Sequence, residues 1–363
     1  MSSSLPLDTV LHGDCCKIMA GLPAASVDLV FADPPYNLQL ERELYRPNLS
    51  RVDAVNDGWD QFASFSEYDG FTQAWLEGCR RLLKPTGTLW VIGSYHNIYR
   101  VGKILMDLGY WILNDIVWIK SNPMPNFRGV RFTNAHETLL WAKRSKDQKH
   151  YTFHYGMMKA INGGKQMRSD WYIPLCTGRE RLKVDGLKAH ATQKPEALLE
   201  RVIRSCSRRG EIVLDPFFGA GTTGAVAKRF GRHFIGIEQD ATYCTLARDR
   251  IQAVETLPED EIERSETSLR APRIPFSVLL ERGFLRVGQE LRFGKTGPTA
   301  QIRPGGKLCS GTFEGSIHRV GALVAGTPAC NGWEHWYYRE PATGDYQPID
   351  RLRQIIREEG KPA

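Results

Sequence analysis

Short apolar runs separated by polar turns dominate the first 255 residues. The run Val27-Asp28-Leu29-Val30-Phe31-Ala32 is rich in β-branched and aromatic residues and is stopped by two prolines. It reads as a buried strand ending in a rigid turn. Residues 5–12, 88–93, 211–214 and 234–237 predict further strands, and 111–119 with 137–143 an antiparallel edge pair. Apolar residues recur at helical spacing over 15–22, 71–83, 98–108, 195–206 and 222–229. Strands alternating with helices predict an α/β fold built on a mostly parallel, doubly wound sheet.

Three stretches break the pattern. Residues 38–66 are polar and aperiodic, which in a compact domain marks a functional loop. Residues 144–190 are basic, aromatic and Gly-containing, and read as an insertion. From about 273 the chain turns rich in Gly and β-formers and ends helix-like over 349–359. The expected organisation is a first domain over 1–255, a linker over 256–272 and a small α+β module over 273–363.

At 42% apolar and 25% charged residues, the 363-residue chain has an ordinary globular composition. No apolar run is long enough to span a bilayer and the N-terminus is not a secretory signal, so a cytoplasmic protein without membrane contact is expected. The eight cysteines contain no C-x-x-C pair, which predicts reduced thiols and no metal. Net charge is +7, and its distribution says more. Residues 120–188 carry fourteen Lys/Arg against five acids, and 270–319 carry nine against three. Two basic segments separated by an acidic stretch suit a phosphate backbone.

The turn Asp33-Pro34-Pro35-Tyr36 follows the buried strand, where ligands of open α/β sheets bind. A carboxylate, a free proline carbonyl and an aromatic face suit a planar base with an exocyclic amino group. Residues 215–224 read Asp215-Pro216-Phe217-Phe218-Gly219-Ala220-Gly221-Thr222-Thr223-Gly224, again after a strand. Gly219, Gly221 and Gly224 satisfy the dinucleotide pattern G-x-G-x-x-G, and Glu238 after the next strand suits ribose hydroxyls. Asp215 would repel a pyrophosphate yet attract an ammonium or sulfonium. S-adenosylmethionine carries both and has no phosphate.

D-P-P-Y together with D-P-F-x-G-x-G-T-T resembles the amino-methyltransferases of DNA. The motif order, catalytic turn before donor loop, is similar to the permuted β group of that family. The resemblance covers residues 8–255, and Thr192-Gln193-Lys194-Pro195 matches the stretch that closes the family's donor pocket. The tail, at Gly311-Thr312-Phe313, Ser316-Ile317-His318 and Cys330-Asn331-Gly332-Trp333, resembles the cell-cycle-regulated adenine methyltransferases (the CcrM subfamily), which act at GANTC.

The resemblance implies a Rossmann-like methyltransferase sheet and a C-terminal DNA-recognition module. It also implies transfer of methyl from S-adenosylmethionine to a flipped-out adenine N6 in double-stranded DNA. Asp33, Pro34, Pro35 and Tyr36 are the implied catalytic residues. Asp14, Asp33, Lys194, Asp215, Phe217, Gly219, Gly221, Thr222 and Glu238 are the implied donor contacts, Asp14 being equally readable as a helix cap. Arg46, Trp59, Arg128, Arg131, Ser316, His318, Asn331 and Trp333 are candidate DNA contacts, although aromatic runs such as 333–338 more often pack in a core. His136 reads as a structural histidine. The family context implies a bacterial, nucleoid-associated protein, and a homodimer is expected.

Four alternatives share parts of this pattern. Cytosine-N4 methylation needs the same geometry; within the family an Asp at position 33 favours adenine. Cytosine-C5 methylation needs a Pro-Cys nucleophile that this chain lacks. An NAD-linked oxidoreductase is contradicted by Asp215 and leaves the D-P-P-Y turn without a use, and the intact D-P-P-Y turn argues against a silent nucleic-acid binder.

Overall fold

The structure is a computed structural model and describes residues 5–37, 60–126, 129–178, 180–184, 187–188, 192–259 and 274–359. The chain divides into two compact units, Met1–Ser268 and Leu269–Ala363. Most of the aperiodic loop and of the expected linker lies outside the described residues.

The first unit is built on an eight-stranded sheet. Its strands are β1 (Thr9–His12), β2 (Val27–Ala32), β3 (Leu83–Gly93), β4 (Trp111–Lys120), β5 (His136–Lys143), β6 (Asp170–Ile173), β9 (Ile212–Asp215) and β10 (His233–Glu238). Two dipeptides, β7 (Lys183–Val184) and β8 (Leu187–Lys188), pair only with each other. The order across the large sheet is β1-β10-β9-β2-β3-β5-β4-β6. Strands β1, β10, β9, β2 and β3 run parallel, and β5 is antiparallel to both β3 and β4.

Helices cover both faces. Helices α1 (Cys15–Gly21), α2 (Phe65–Leu82) and α3 (Ile98–Asp107) pack Met19, Trp75, Leu76 and Val101 against Val30 and Ala32 of β2. After α4 (Tyr155–Ile161), helices α5 (Glu196–Cys206), α6 (Thr222–Arg229) and α7 (Ala241–Gln252) pack Leu198, Val202, Ala225 and Ala247 with Leu29 and Phe31 on the other. Alternate residues of β2 thus enter opposite cores, as the two-residue period of a strand requires. Ser64 caps α2 by accepting the Glu67 N–H at 3.1 Å, while Glu67 accepts from Ala63 N–H. This local signal starts the helix six residues before the expected Phe71.

Two expectations need correction. The 111–119 and 137–143 strands pair antiparallel, but they are not the edge, because β6 lies beyond β4. Residues 144–190 are accordingly more than an insertion. Trp171 and Ile173 enter the core and Met157 and Met158 of α4 are buried. Four residues of strand and seven of helix are too short for periodicity to reveal.

The second unit is an antiparallel six-stranded sheet. In chain order its strands are β11 (Glu290–Phe293), β12 (Thr299–Arg303), β13 (Lys307–Ser310), β14 (Phe313–Gly315), β15 (Trp336–Arg339) and β16 (Tyr346–Pro348). Their spatial order is β14-β13-β12-β11-β15-β16. Its core joins Leu291, Ile302, Leu308 and Trp336 to Val320 of the helix Ile317–Ala325 and Leu352 of the helix Asp350–Glu359. This is an α+β arrangement with its own core. No helix among the described residues is long and apolar enough to cross a membrane.

Candidate active site

The chain leaves β2 for β3 on one side and β9 for β10 on the other. The carboxyl ends of β9 and β2 therefore flank the point where the winding reverses, the place where open α/β sheets bind ligands. Four neighbouring parallel strands each deliver an acid to this edge: Asp14 after β1, Glu238 ending β10, Asp215 ending β9 and Asp33 after β2. All four line one cavity of about 450 Å³, together with Phe62, Phe71, Lys194, Phe217 and Thr222.

Backbone geometry shapes the donor side. Gly219 and Gly221 have φ of 50° and 74°, the left-handed region that favours glycine. A Cβ on Gly221 would lie 2.8 Å from Ala247 Cβ, so α6 and α7 approach closely only with glycine there. Asp215 is 3% exposed. Its Oδ1 accepts the Phe217 N–H at 2.9 Å and its Oδ2 the Thr223 hydroxyl at 2.6 Å. Burial pushes its pKa up to about 7 against these bonds. Glu238, also raised by burial, accepts Gly219 N–H at 2.7 Å and Asp240 N–H at 2.8 Å.

Phe217 packs edge-on against Trp75 and Phe71, giving the cavity an aromatic wall. Asp14 caps α1, accepting Lys17 N–H at 2.9 Å, and also lines the cavity. Thr222 is turned to support: its hydroxyl donates to the Lys194 carbonyl at 3.3 Å and accepts from Arg250 at 2.8 Å. Anionic side chains, an aromatic wall and close backbone access fit a nucleoside that carries ammonium and sulfonium charges.

The Asp33–Tyr36 turn is held by hydrogen bonds from its surroundings. Tyr68 of α2 donates to the Pro35 carbonyl at 2.8 Å, and Asp60 accepts Asn37 N–H at 2.8 Å. Asn37 has φ of 52°, a left-handed turn that asparagine tolerates. Tyr36 donates its hydroxyl to Glu137 Oε2 at 3.0 Å. Lys194 Nζ lies 2.7 Å from Asp33 Oδ2, 4.0 Å from Glu137 Oε2 and 5.2 Å from the Tyr36 ring centroid. Lys120 closes the network at 2.8 Å from Glu137 Oε1.

Burial raises Asp33, with the Lys194 ammonium opposing the shift. Burial alone would also raise Glu137, but Lys194 and Lys120 together hold it below the usual range. Lys194 is raised: the two carboxylates outweigh the burial that would lower it.

The sequence assigns no role to Glu137, Lys120, Tyr68 or Thr223, although Thr223 lies within the glycine-loop motif. Glu137 had one legible sign, a charged residue opening an apolar strand. His136 is exposed rather than a structural histidine, and Glu137 is the buried member.

Of the DNA candidates, Arg46, Trp59 and Arg128 lie outside the described residues. Arg131 is exposed and donates to the Tyr95 hydroxyl at 2.7 Å. Ser316 caps the Ile317–Ala325 helix. His318 Nδ1 accepts Gly332 N–H at 3.0 Å, and the Asn331 side chain is exposed. Trp333 must be corrected: it is 6% exposed, under the Arg353 guanidinium and beside Phe276, because the module's core takes the aromatic run.

Comparison with known proteins places this geometry. Residues 257–361 match the family described as Restriction Enzyme Adenine Methylase Associated. The chain is 47% identical over 348 residues to the Type II methyltransferase M.HinfI of Haemophilus influenzae, covering 96% of each. It is 42% identical over 246 residues to the Type II methyltransferase M2.DpnII of Streptococcus pneumoniae, covering 67% of this chain and 89% of that one. Among solved structures, the PvuII DNA methyltransferase (cytosine-N4-specific) covers 71% of this chain and 90% of its own, with a TM-score of 0.52 and 20% identity, a likeness of fold. Residues 27–249, from the strand before Asp33 to the helix after Glu238, match the DNA methylase family; the chain belongs to these N6/N4 enzymes and is a DNA methyltransferase whose methyl donor is S-adenosylmethionine.

Proposed function

We propose that this enzyme methylates the N6 amino group of adenine in duplex DNA, at GANTC. One observation carries the reading: Asp33 and Asp215 end neighbouring strands and line a single cavity, so a base amine and a cationic methyl donor meet within it. An Asp at the head of the D-P-P-Y turn favours adenine over cytosine. The GANTC site rests on the tail's resemblance to the cell-cycle-regulated subfamily and on the relative named M.HinfI.

Each residue then has a task. Asp215, Glu238, Asp14 and Phe217 hold the donor, which when bound supplies a methyl group activated by its sulfonium. Asp33 and the Pro34 carbonyl accept the two amine N–H bonds and turn the nitrogen lone pair toward the methyl. Tyr36 supplies a ring face to the flipped base in place of its lost neighbours. An exocyclic amine is a weak nucleophile, so orientation and fixed polar groups provide most of the acceleration. The product amine sheds its extra proton toward Asp33, the nearest carboxylate in this arrangement.

The domain reading belongs here too. Residues 1–255 carry the chemistry, and the module from 273 reads the site, with Ser316, His318 and Asn331 as base-edge candidates and Arg131 as a first-unit backbone contact. Two copies of the chain engage one duplex, and the enzyme resides on the bacterial chromosome; sedimentation of the protein–DNA complex tests the former.

The deciding experiment incubates the protein and S-adenosylmethionine with a duplex containing GANTC and with one lacking it. Both are then digested to nucleosides and analysed by mass detection. N6-methyladenine in the first duplex alone is expected. N4-methylcytosine would overturn the base assignment, and methylation of both duplexes the site.

A further inference from the structure

Lys194 stands on the Asp33 carboxylate and over the Tyr36 ring at once, at 2.7 Å and 5.2 Å. Those are the two surfaces that the target base needs. A base stacked on Tyr36 with its amine on Asp33 competes with that ammonium group for both surfaces. Lys194 is 8% exposed, so little of it reaches water where it stands. A buried ammonium stripped of its carboxylate is strongly penalised.

Glu137 offers it a second station. Its Oε2 is 4.0 Å from Lys194 Nζ, a small side-chain movement away. Glu137 is itself fixed, with Lys120 on one oxygen at 2.8 Å and the Tyr36 hydroxyl on the other at 3.0 Å. The same carboxylate that can receive the ammonium therefore also steadies the ring on which the base stacks. We propose that Glu137 is a positioning residue for methyl transfer: it receives Lys194 when the target amine displaces that lysine from Asp33. The proposal rests on the amino-methyltransferase reading given above.

Single-turnover methyl transfer at saturating donor and DNA tests it, with circular dichroism melting to confirm folding. Transfer by the wild-type protein establishes the reading of function separately; its absence on every duplex would overturn that reading and this proposal with it. With the wild type active, Glu137→Gln keeps the size and an acceptor for Tyr36 but loses the charge that draws Lys194. Its rate is expected to fall by about tenfold or more, and Glu137→Asp to regain part of the loss.

In a Lys194→Met background there is no ammonium to receive. There Glu137→Gln is expected to cost less than about threefold, the non-additivity of a coupled pair. Equal losses in both backgrounds, or an unchanged rate in the single variant, would overturn the proposal. Should Glu137→Gln fail to fold, Lys194→Met alone decides, read by 2-aminopurine fluorescence at the target position. A signal at least as strong as wild type is expected, because the base's competitor for Asp33 is gone; a weaker one would overturn the proposal.

Discussion

The Thr223 hydroxyl donates to Asp215 Oδ2 at 2.6 Å, tying the first turn of α6 to the end of β9. This bond favours the ionised carboxylate, against a burial that favours the neutral one. Asp215 is thereby poised with a pKa of about 7, so its charge toward a cationic donor depends on pH.

Donor affinity should therefore fall as pH drops through about 7. The sign follows from charge: below that value Asp215 is neutral and its attraction for the sulfonium is lost. Isothermal titration with S-adenosylmethionine across this range checks it. Asp215→Asn should bind the donor more weakly, by about tenfold, and flatten the pH dependence. Thr223→Val removes the bond that favours ionisation and should move the midpoint upward.

The same group has the opposite effect on stability without donor. Its proton is held in the fold but released in the unfolded chain between the ordinary carboxylate range and about 7. Stability should therefore decline as pH rises through that window, and Asp215→Asn should remove this contribution. Urea melts at several pH values read both effects.

Asp33→Ala should lose methyl transfer by about a hundredfold or more, the scale of removing one oriented polar group from a reaction centre. DNA affinity should be largely kept, because a carboxylate such as Asp33 offers nothing to a phosphate backbone. Filter binding beside single-turnover transfer separates the two. Retained transfer would refute the role given to Asp33.

Gly221→Ala places a β-branch-free side chain at φ 74° and its Cβ 2.8 Å from Ala247 Cβ. The left-handed conformation alone costs roughly 1–2 kcal/mol, before the contact is counted. Since the clash lies between α6 and α7, the variant should melt several degrees lower and bind donor poorly. Thermal melting monitored with and without donor measures it.

Truncation after Ser268 removes the second unit, whose core is its own. The shortened protein is expected to keep donor binding and to lose its preference for GANTC. Unchanged site preference with normal donor binding would sink the recognition role of the module.

What could be read from the residues was local. The β2 run, the proline-stopped turn and the glycine loop carry their conformations in their own side chains, through two-residue alternation, fixed proline φ and glycine's left-handed freedom. That sufficed for the doubly wound sheet and for Asp33, Asp215 and Glu238 as ends of strands. It did not reveal β6, because four residues give no measurable period and its partners in β4, Val117 to Lys120, lie far back in the chain. Nor did it separate Trp333 from a DNA contact, because an aromatic residue has the same local signature whether a core or a partner covers it.

The meeting of Asp33, Glu137 and Lys194 was decided by tertiary structure alone. These residues come from after β2, from the start of β5 and from the segment before α5, and only the fold brings both carboxylates within 4.0 Å of Lys194. By itself the sequence determined which groups stand at the carboxyl ends of strands, since a strand's end is a property of its own few residues. Which charges those groups would face was left to the fold, because burial and ion pairing depend on parts of the chain a hundred residues and more away.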